Sequence, residues 1–527
     1  MNNSVLIIAL SVFLAITISL GFLGWRQTRS SKDYLIAGGN VHPVLMALAY
    51  GSTFISTSAI VGFGGAAGVF GMSLIWLTFF TIFVGVFIAF IFFGLKTREL
   101  AASLKIKSFP EFLGIRFQST FIRKFSAGLI SISMPLYAAA VMIGGARFLE
   151  ESLEIHYTAA LACFSLIVVG YVFFGGLKGV IYNDALQSSI MFIGMSLLIL
   201  LTYTSLGGVT AAHTRLDELR SFVPVAMAAK GHQGWASMPA FNSEIWWFVV
   251  STLILGVGIG VLAQPQLAVR FMTVKSSRDI YRGLGVGAVF ILMMTGVAFT
   301  VGALSNVYFL DSIGKTALAA TATGGSIANV DRIIPLFITQ AMPGWMTYLF
   351  LLTLISAAMS TLSGQFHMIS TCISYDLIAD LKLSDGKTLW LARAGTIVGF
   401  LITFGLALLL PPGIIAIATA IFFGFCASAF LPVYTAALYW PRVTPAGAVS
   451  SMISASISYL VMILFIHEKE AAIFGLCKKL FGVNSLASAP LTYIDPLIVT
   501  LPISVVVLWL VSIVTDPVLI EDIVPQE

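Results

Sequence analysis

Residues 51–65 read GSTFISTSAIVGFGG, inside the run from His42 to Phe70 that is otherwise apolar enough to cross a bilayer. Six of the first eight residues are Gly, Ser or Thr. A helix built only to dissolve in lipid needs none of them, because in hydrocarbon a backbone group released from its helix finds no water to bond. The stretch therefore predicts an interrupted membrane helix whose loosened backbone serves some purpose besides spanning.

The rest of the chain places this break among many spans. Of 527 residues, 58% are hydrophobic and only 10% charged, with a mean hydropathy of +1.00. Runs of roughly 20 apolar residues, the length a helix needs to cross the hydrocarbon, recur from end to end. Thirteen are expected, organised as one transmembrane domain over 1–527: a lone first helix (4–25), a first set of five (43–206), a second set of five (243–438) and two further helices (443–515). The run 335–378 is long for one helix, so an approach segment is expected before Gly344. The first run lacks a basic leader and is followed by RQTRSSK, the pattern of a retained span rather than a cleaved signal.

With an odd number of spans the termini lie on opposite sides. Alternate loops divide the 28 Lys and Arg residues 19 to 9, and the richer set, which includes Arg270 and Lys382, is expected inside. That puts the N-terminus outside and the C-terminus in the cytoplasm of a cell-membrane protein. The net charge of +5 then follows from topology and does not call for nucleic acid as a partner. Cys163, Cys372, Cys426 and Cys477 have no paired spacing, so neither a disulfide framework nor a zinc site is expected. The segment 96–120, KTRELAASLKIKSFPEFLGIRFQ and its flank, reads as amphipathic structure at the interface with its basic residues toward headgroups.

A second interruption, LGVGIGVLAQPQ at 255–266, falls five spans after the first. Interrupted helices so spaced point to an inverted five-helix repeat with a site at its midplane. A third stretch, LISAAMSTLSGQF at 354–366, sets Ala357, Ser360, Thr361 and Gly364 on one helical stripe. Small residues of this kind also let membrane helices approach closely, so the stripe alone does not define a site. Opposite GSTFISTS it acquires one, because freed carbonyls and hydroxyls together offer the oxygen ligands that a hard cation such as sodium takes. Asp184 is an ionisable residue within a span, where it is expected to face a cavity, a partner charge or an ion path. Asp376 reads instead as a solvated helix end, Arg270 as a cytoplasmic anchor after Pro265, and His367 as a partner for polar neighbours. Gln264, just before the break, is placed to reach a ligand or the inner gate.

No Walker loop, metal-ligand cluster or nucleophile triad is present in the sequence. A membrane-embedded enzyme would show paired His or acidic residues across spans, and a channel a repeated filter motif; the six His show no metal-like spacing. A non-enzymatic, ion-coupled solute transporter is the expectation.

In order and spacing, YLIAGG (34–39), YVFFGGLKGVIYNDALQ (171–187), AQPQLAVRFM (263–272), AAMSTLSGQ followed by SYDL (357–377) and ALYWPRVTPAGAVSSM (437–452) resemble the sodium:solute symporter family. The resemblance runs from about Lys32 to Thr515. It implies an all-α membrane protein of the LeuT type that couples sodium to solute entry by alternating access. It also implies a sodium site made by the backbone carbonyls of Ser52, Ile55 and Ala357 and the hydroxyls of Ser360 and Thr361. A second sodium, as in some members, would use Asp184 and Ser363, although Gly364 stands where another serine ligand would be. Solute would lie beside Phe54, Ser56, Thr57, Tyr137 and Gln264. Similar proline carriers have an acidic residue at the position of Phe54 and tryptophan at that of Val257. The expected solute is accordingly a small organic anion of the monocarboxylate or pantothenate kind, with an amino acid or other polar solute as the alternative. The oligomeric state is left open.

Overall fold

The computed structural model describes residues 3–153, 155–322, 328–378, 384–410 and 414–517. Lys382 and the first residues of the run at 412–438 lie outside them. The described chain is helical, with one isolated backbone bridge, Val41 to Val274, and eleven helices long and apolar enough to cross a membrane.

The chain opens with α1 (Asn3–Gln27) and reaches α2 (Pro43–Phe54), which starts as its sequence dictates: His42 Nδ1 accepts from the Val44 amide and Pro43 occupies the first turn, where no N–H is needed. A wide turn, Ser58–Gly62, leads into α3 (Phe63–Phe70). At Gly71 the backbone adopts φ 73°, and a side chain there would overlap the Trp235 carbonyl, so only glycine lets the chain turn into the next helix. That helix, α4, begins at Ile75–Ile82 and continues through Phe83–Gly94 to Leu95–Ser103. The interfacial segment then supplies α5 (Phe109–Arg116), and α6 (Thr120–Leu153) follows.

The helical stretch α7 (Tyr157–Ser205) would be about 74 Å long if straight, more than twice the hydrocarbon thickness. It doubles back at Gly176 (φ 53°): a Cβ built on Gly179 would lie 3.2 Å from the Tyr171 carbonyl, eight residues earlier. The two runs at 157–177 and 182–206 are therefore the two arms of a hairpin. Next come α8 (Glu244–Ala263), the second break at Gln264, α9 (Pro265–Met272) and α10 (Ser277–Ile313). The long run at 335–378 divides as expected into a short helix, Ile333–Ala341, and α11 (Gly344–Thr371), whose residues from Thr353 onward are all buried. Helices α12 (Asp385–Leu409), α13 (Ile415–Tyr439), α14 (Pro445–Val461) and α15 (Pro496–Val514) complete the chain.

Burial separates core from periphery. Helices α11 and α13 are enclosed by neighbours, whereas α1, α14 and α15 expose most of their faces. Around α11 pack α7, α6 and α2, and α3 crosses α10 closely at Gly64 and Gly302. This sets the first break against the middle of one of the two most buried helices. All four cysteines are free thiols.

Candidate functional site

The first break follows from α2 losing its hydrogen bonds in a dry interior. Ile55 leaves helical geometry (φ −83°, ψ 101°) while its amide still bonds Gly51 O at 2.8 Å. The carbonyls after Gly51 are then the ones a helix end leaves without an internal partner. Ser52 O receives Ser360 Oγ at 2.9 Å and Thr361 Oγ1 at 3.3 Å, across more than 300 residues of sequence. Ser360 Oγ also stands 3.1 Å from Ala357 O, although a hydroxyl has one proton and satisfies one of these carbonyls at a time. Ser52, Ile55, Ala357, Ser360 and Thr361 are fully buried.

Four of the five expected sodium ligands are thus linked to one another through three contacts of hydrogen-bonding length. Ligands at right angles about 2.4 Å from a hard cation stand about 3.4 Å apart. The oxygens here need to spread by only a few tenths of an ångström, with the hydroxyl protons turned away, to surround such an ion. The donor set is all oxygen and carries no formal charge, which suits a monovalent hard cation.

Beside the break, a small cavity of about 20 Å³ is lined by Phe54, Ser56 and Tyr137 with Val257, Thr295 and Phe423 among its other walls. That is room for roughly one water. Tyr137 reaches Ser56 Oγ at 3.4 Å, and its ring stacks on Phe422. Of the expected solute residues, Phe54, Ser56 and Tyr137 come together here. Thr57 is turned aside, donating to Val141 O at 3.2 Å. Gln264 does not line this cavity: its amide bonds Gly260 O and accepts from Gln266 Nε2 at 2.8 Å. Val257, singled out in sequence only as a point of difference from proline carriers, shares the cavity with Phe54. Thr81, Thr295 and Thr419 also line it and were not anticipated. Their one signal was a hydroxyl within an apolar run, which many packing threonines share.

Asp184 is fully buried, and its Oδ2 forms an ion pair with Arg270 Nη2 at 3.0 Å. The same nitrogen donates to Thr53 Oγ1 at 2.8 Å. Arg270 is therefore no headgroup anchor, contrary to the sequence reading. The helix that follows the second break, α9, carries it back into the protein, where a carboxylate meets it. Space is left by Gly364, where a Cβ would come within 2.8 Å of Thr53 Cγ2 and 3.4 Å of Arg270 Nη2. Among the described residues no hydrogen bond reaches the buried Asp184 Oδ1, although Ser363, which donates to Ser360 O at 2.9 Å, lies close enough to act on this carboxylate.

Asp376 is also no solvated helix end. It is fully buried, and its Oδ1 accepts from Ser108 Oγ at 2.7 Å and Arg123 Nε at 2.8 Å, since α5 and α6 fold over the end of α11. His367 Nε2 meets the Tyr34 carbonyl at 2.8 Å, as a polar neighbour. Among the described residues no group of three or more His, Cys, Asp or Glu is arranged to hold a metal ion.

Comparison with known proteins identifies the family and the fold. The profile of the Sodium:solute symporter family matches residues 34–455. The chain is 26% identical to the sodium/pantothenate symporter of Haemophilus influenzae over 496 residues, covering 91% of this chain and 96% of that protein. It is likewise 26% identical to the sodium/proline symporter of Escherichia coli, over 466 residues covering 86% and 87%. A substrate-bound, outward-open Na+-coupled sialic acid symporter superposes with a TM-score of 0.74, at 18% identity, covering 97% of this chain and 98% of that one. The fold is thus of the LeuT type, an all-α, multi-pass membrane architecture. The chain belongs to the sodium:solute symporter family, whose members couple sodium to the transport of an organic solute.

Proposed function

We propose that this transporter couples sodium entry to uptake of a small organic anion, with Ser52, Ile55, Ala357, Ser360 and Thr361 holding the ion and Phe54, Ser56 and Tyr137 facing the solute. The observation that carries the choice of solute is the cavity wall, which contains aromatic rings and hydroxyls but no carboxylate among the described residues. An amino acid's ammonium would be left there without an anionic partner. A carboxylate would meet the positive end of α3 and the nearby sodium. Both pantothenate and proline symporters are among the relatives, so identity alone favours neither.

In this reading outside sodium binds first and ties the broken α2–α3 helix to α11. The ion and the solute then favour the same rearranged state, which is the condition for coupling. The distribution of Lys and Arg supports an outside N-terminus and a cytoplasmic C-terminus. If α2 is counted with α3, α8 with α9 and α7 as two arms, this reading has thirteen crossings and places its repeats at 43–206 and 243–438. Asp184 Oδ1, which no hydrogen bond reaches among the described residues, favours a second reading, in which a further sodium binds between it and Ser363.

Uptake of a labelled solute panel into proteoliposomes, with and without a sodium gradient, tests the function directly. Anions should accumulate only with the gradient, and sodium-independent uptake of every accepted solute would overturn the symport assignment. Charge moved per solute tests the second ion: Asp184→Asn should reduce it if two sodium ions cross and leave it unchanged if one does.

A further inference from the structure

At the opposite end of α4 from Gly71, well apart from the sodium site, a cavity of about 280 Å³ is lined by Lys32, Arg98, Lys105 and Lys107. Gly39 and Met272 also line it, as do apolar residues from the last turn of α4, and among the described residues no carboxylate does. Of the acidic groups near it, Asp33 pairs with Lys178 Nζ at 2.6 Å, Glu111 with Arg123 at 3.4 Å, and Glu99 with Lys96 at 3.8 Å. Asp385 accepts from the Ser31 amide, and Asp279, which caps Ser276 and pairs with Arg282 at 3.7 Å, acts on Arg98 only at longer range. None of the four lining cations is in an ion pair among the described residues. Arg98 Nε is buried without a hydrogen-bond partner, while Nη2 of the same group donates to Lys275 O at 2.7 Å. Four positive charges facing one cavity repel one another, and a buried guanidinium N–H left unbonded costs free energy. An anion resolves both.

The cavity's place in the fold indicates what kind. α1 ends at Gln27 and α4 at Ser103, so Lys32 and Lys105 stand just beyond the ends of apolar spans, at the level of lipid headgroups. We infer that the cavity binds a phosphate-bearing anion, with Lys32, Arg98, Lys105 and Lys107 gathering its oxygens at the membrane surface. An anionic phospholipid headgroup and free phosphate share that chemistry. The site also adjoins both interrupted helices: Gly39 lies two residues before Val41, which leads into α2 and bonds Thr273 O at 2.9 Å, and Met272 ends α9. A bound anion braces the stretch before α2 against the ends of α4 and α9. It should therefore slow the opening of that side of the transporter.

The test uses the full-length protein in detergent mixed with equimolar phosphatidylglycerol and phosphatidylcholine, with retained lipid counted by native mass spectrometry. Phosphatidylglycerol should be retained preferentially, and Lys105→Gln, or Lys32→Gln on a separate element, should weaken that preference roughly fivefold each. In a second arm without lipid, millimolar inorganic phosphate should protect Lys105 and Lys107 from amine labelling if a soluble anion is the ligand, and chloride should not. Preference for phosphatidylglycerol that survives in both variants, together with no protection by phosphate, overturns the site. Sodium-driven uptake of the same variants in phosphatidylcholine vesicles reports on the transport reading separately. Uptake should be unchanged, because neither lysine touches the sodium or solute residues.

Discussion

Arg270 Nη2 stands 3.0 Å from Asp184 Oδ2 and 2.8 Å from Thr53 Oγ1, so one guanidinium nitrogen joins α9, the second arm of α7 and α2. Each of the two interrupted helices contributes one of these residues. Both charges are buried, and breaking a buried pair by removing one partner costs far more than the pair contributes net, because the other charge is left uncompensated. Asp184→Asn should destabilise the protein by about 3–5 kcal/mol, read as a lowered Tm in detergent. Adding Arg270→Gln to that variant should recover much of the loss. An unchanged Tm in Asp184→Asn would show that the pair does not form in the folded protein.

The convergence of Ser360 and Thr361 on Ser52 O makes a second prediction. Ser360→Ala with Thr361→Ala removes two of five proposed ligands and leaves the helix packing nearly intact. The sodium concentration for half-maximal uptake should rise at least tenfold, or about 1.4 kcal/mol. If it stays the same, the hydroxyls serve only to pack α11 against α2.

Phe54 lines the small cavity and is almost fully buried. Phe54→Asp places a carboxylate where an anionic solute is proposed to lie. Competition uptake should show a KM for the anion raised more than about tenfold, as like charges at close range predict. An anion KM unaffected by the new charge would place the solute elsewhere.

A larger cavity of about 460 Å³ lies near the break, with Arg147, Glu150, Asp331 and Arg332 in its walls and Gly144, which also lines it, beside Thr57. Burial pushes the Asp331 carboxyl up to about 6. Because the folded-state value is raised, the stabilisation from burying the neutral acid is fully present below about pH 4 and is lost as pH rises through about 6. Below about 6 this cavity also loses a negative charge, which matters for uptake if the proposed anion enters through it. Uptake of an anion that stays ionised throughout should therefore rise between neutral and mildly acidic pH, and Asp331→Asn should flatten the profile. A pH profile identical in the variant would exclude this carboxyl as its cause.

The two breaks were legible because hydrocarbon imposes a local rule. GSTFISTS and LAQPQ violate helix continuity in a medium where that is costly, and the violation shows in any short window of sequence. The stripe Ala357, Ser360, Thr361 was legible for the same reason, and the structure sets it against Ser52 as expected. Arg270 and Asp376 were misread because each sits near the end of an apolar run, where hydropathy predicts contact with headgroups or solvent. Their burial depends on segments far away in sequence: Asp184 and Thr53 receive Arg270, while Ser108 and Arg123 cover Asp376.

By itself, then, the sequence determined that this is a membrane protein of many spans, where two of its helices break and which hydroxyls face the first break. Composition and period along one helix carry that information. Only the tertiary structure decided which charges pair, that Val257 and three threonines share a cavity with Phe54, and that Gln264 does not reach it. Those outcomes follow from how helices rotate and cross when they pack, and rotation is settled by side chains meeting across long sequence separations, which no local pattern records.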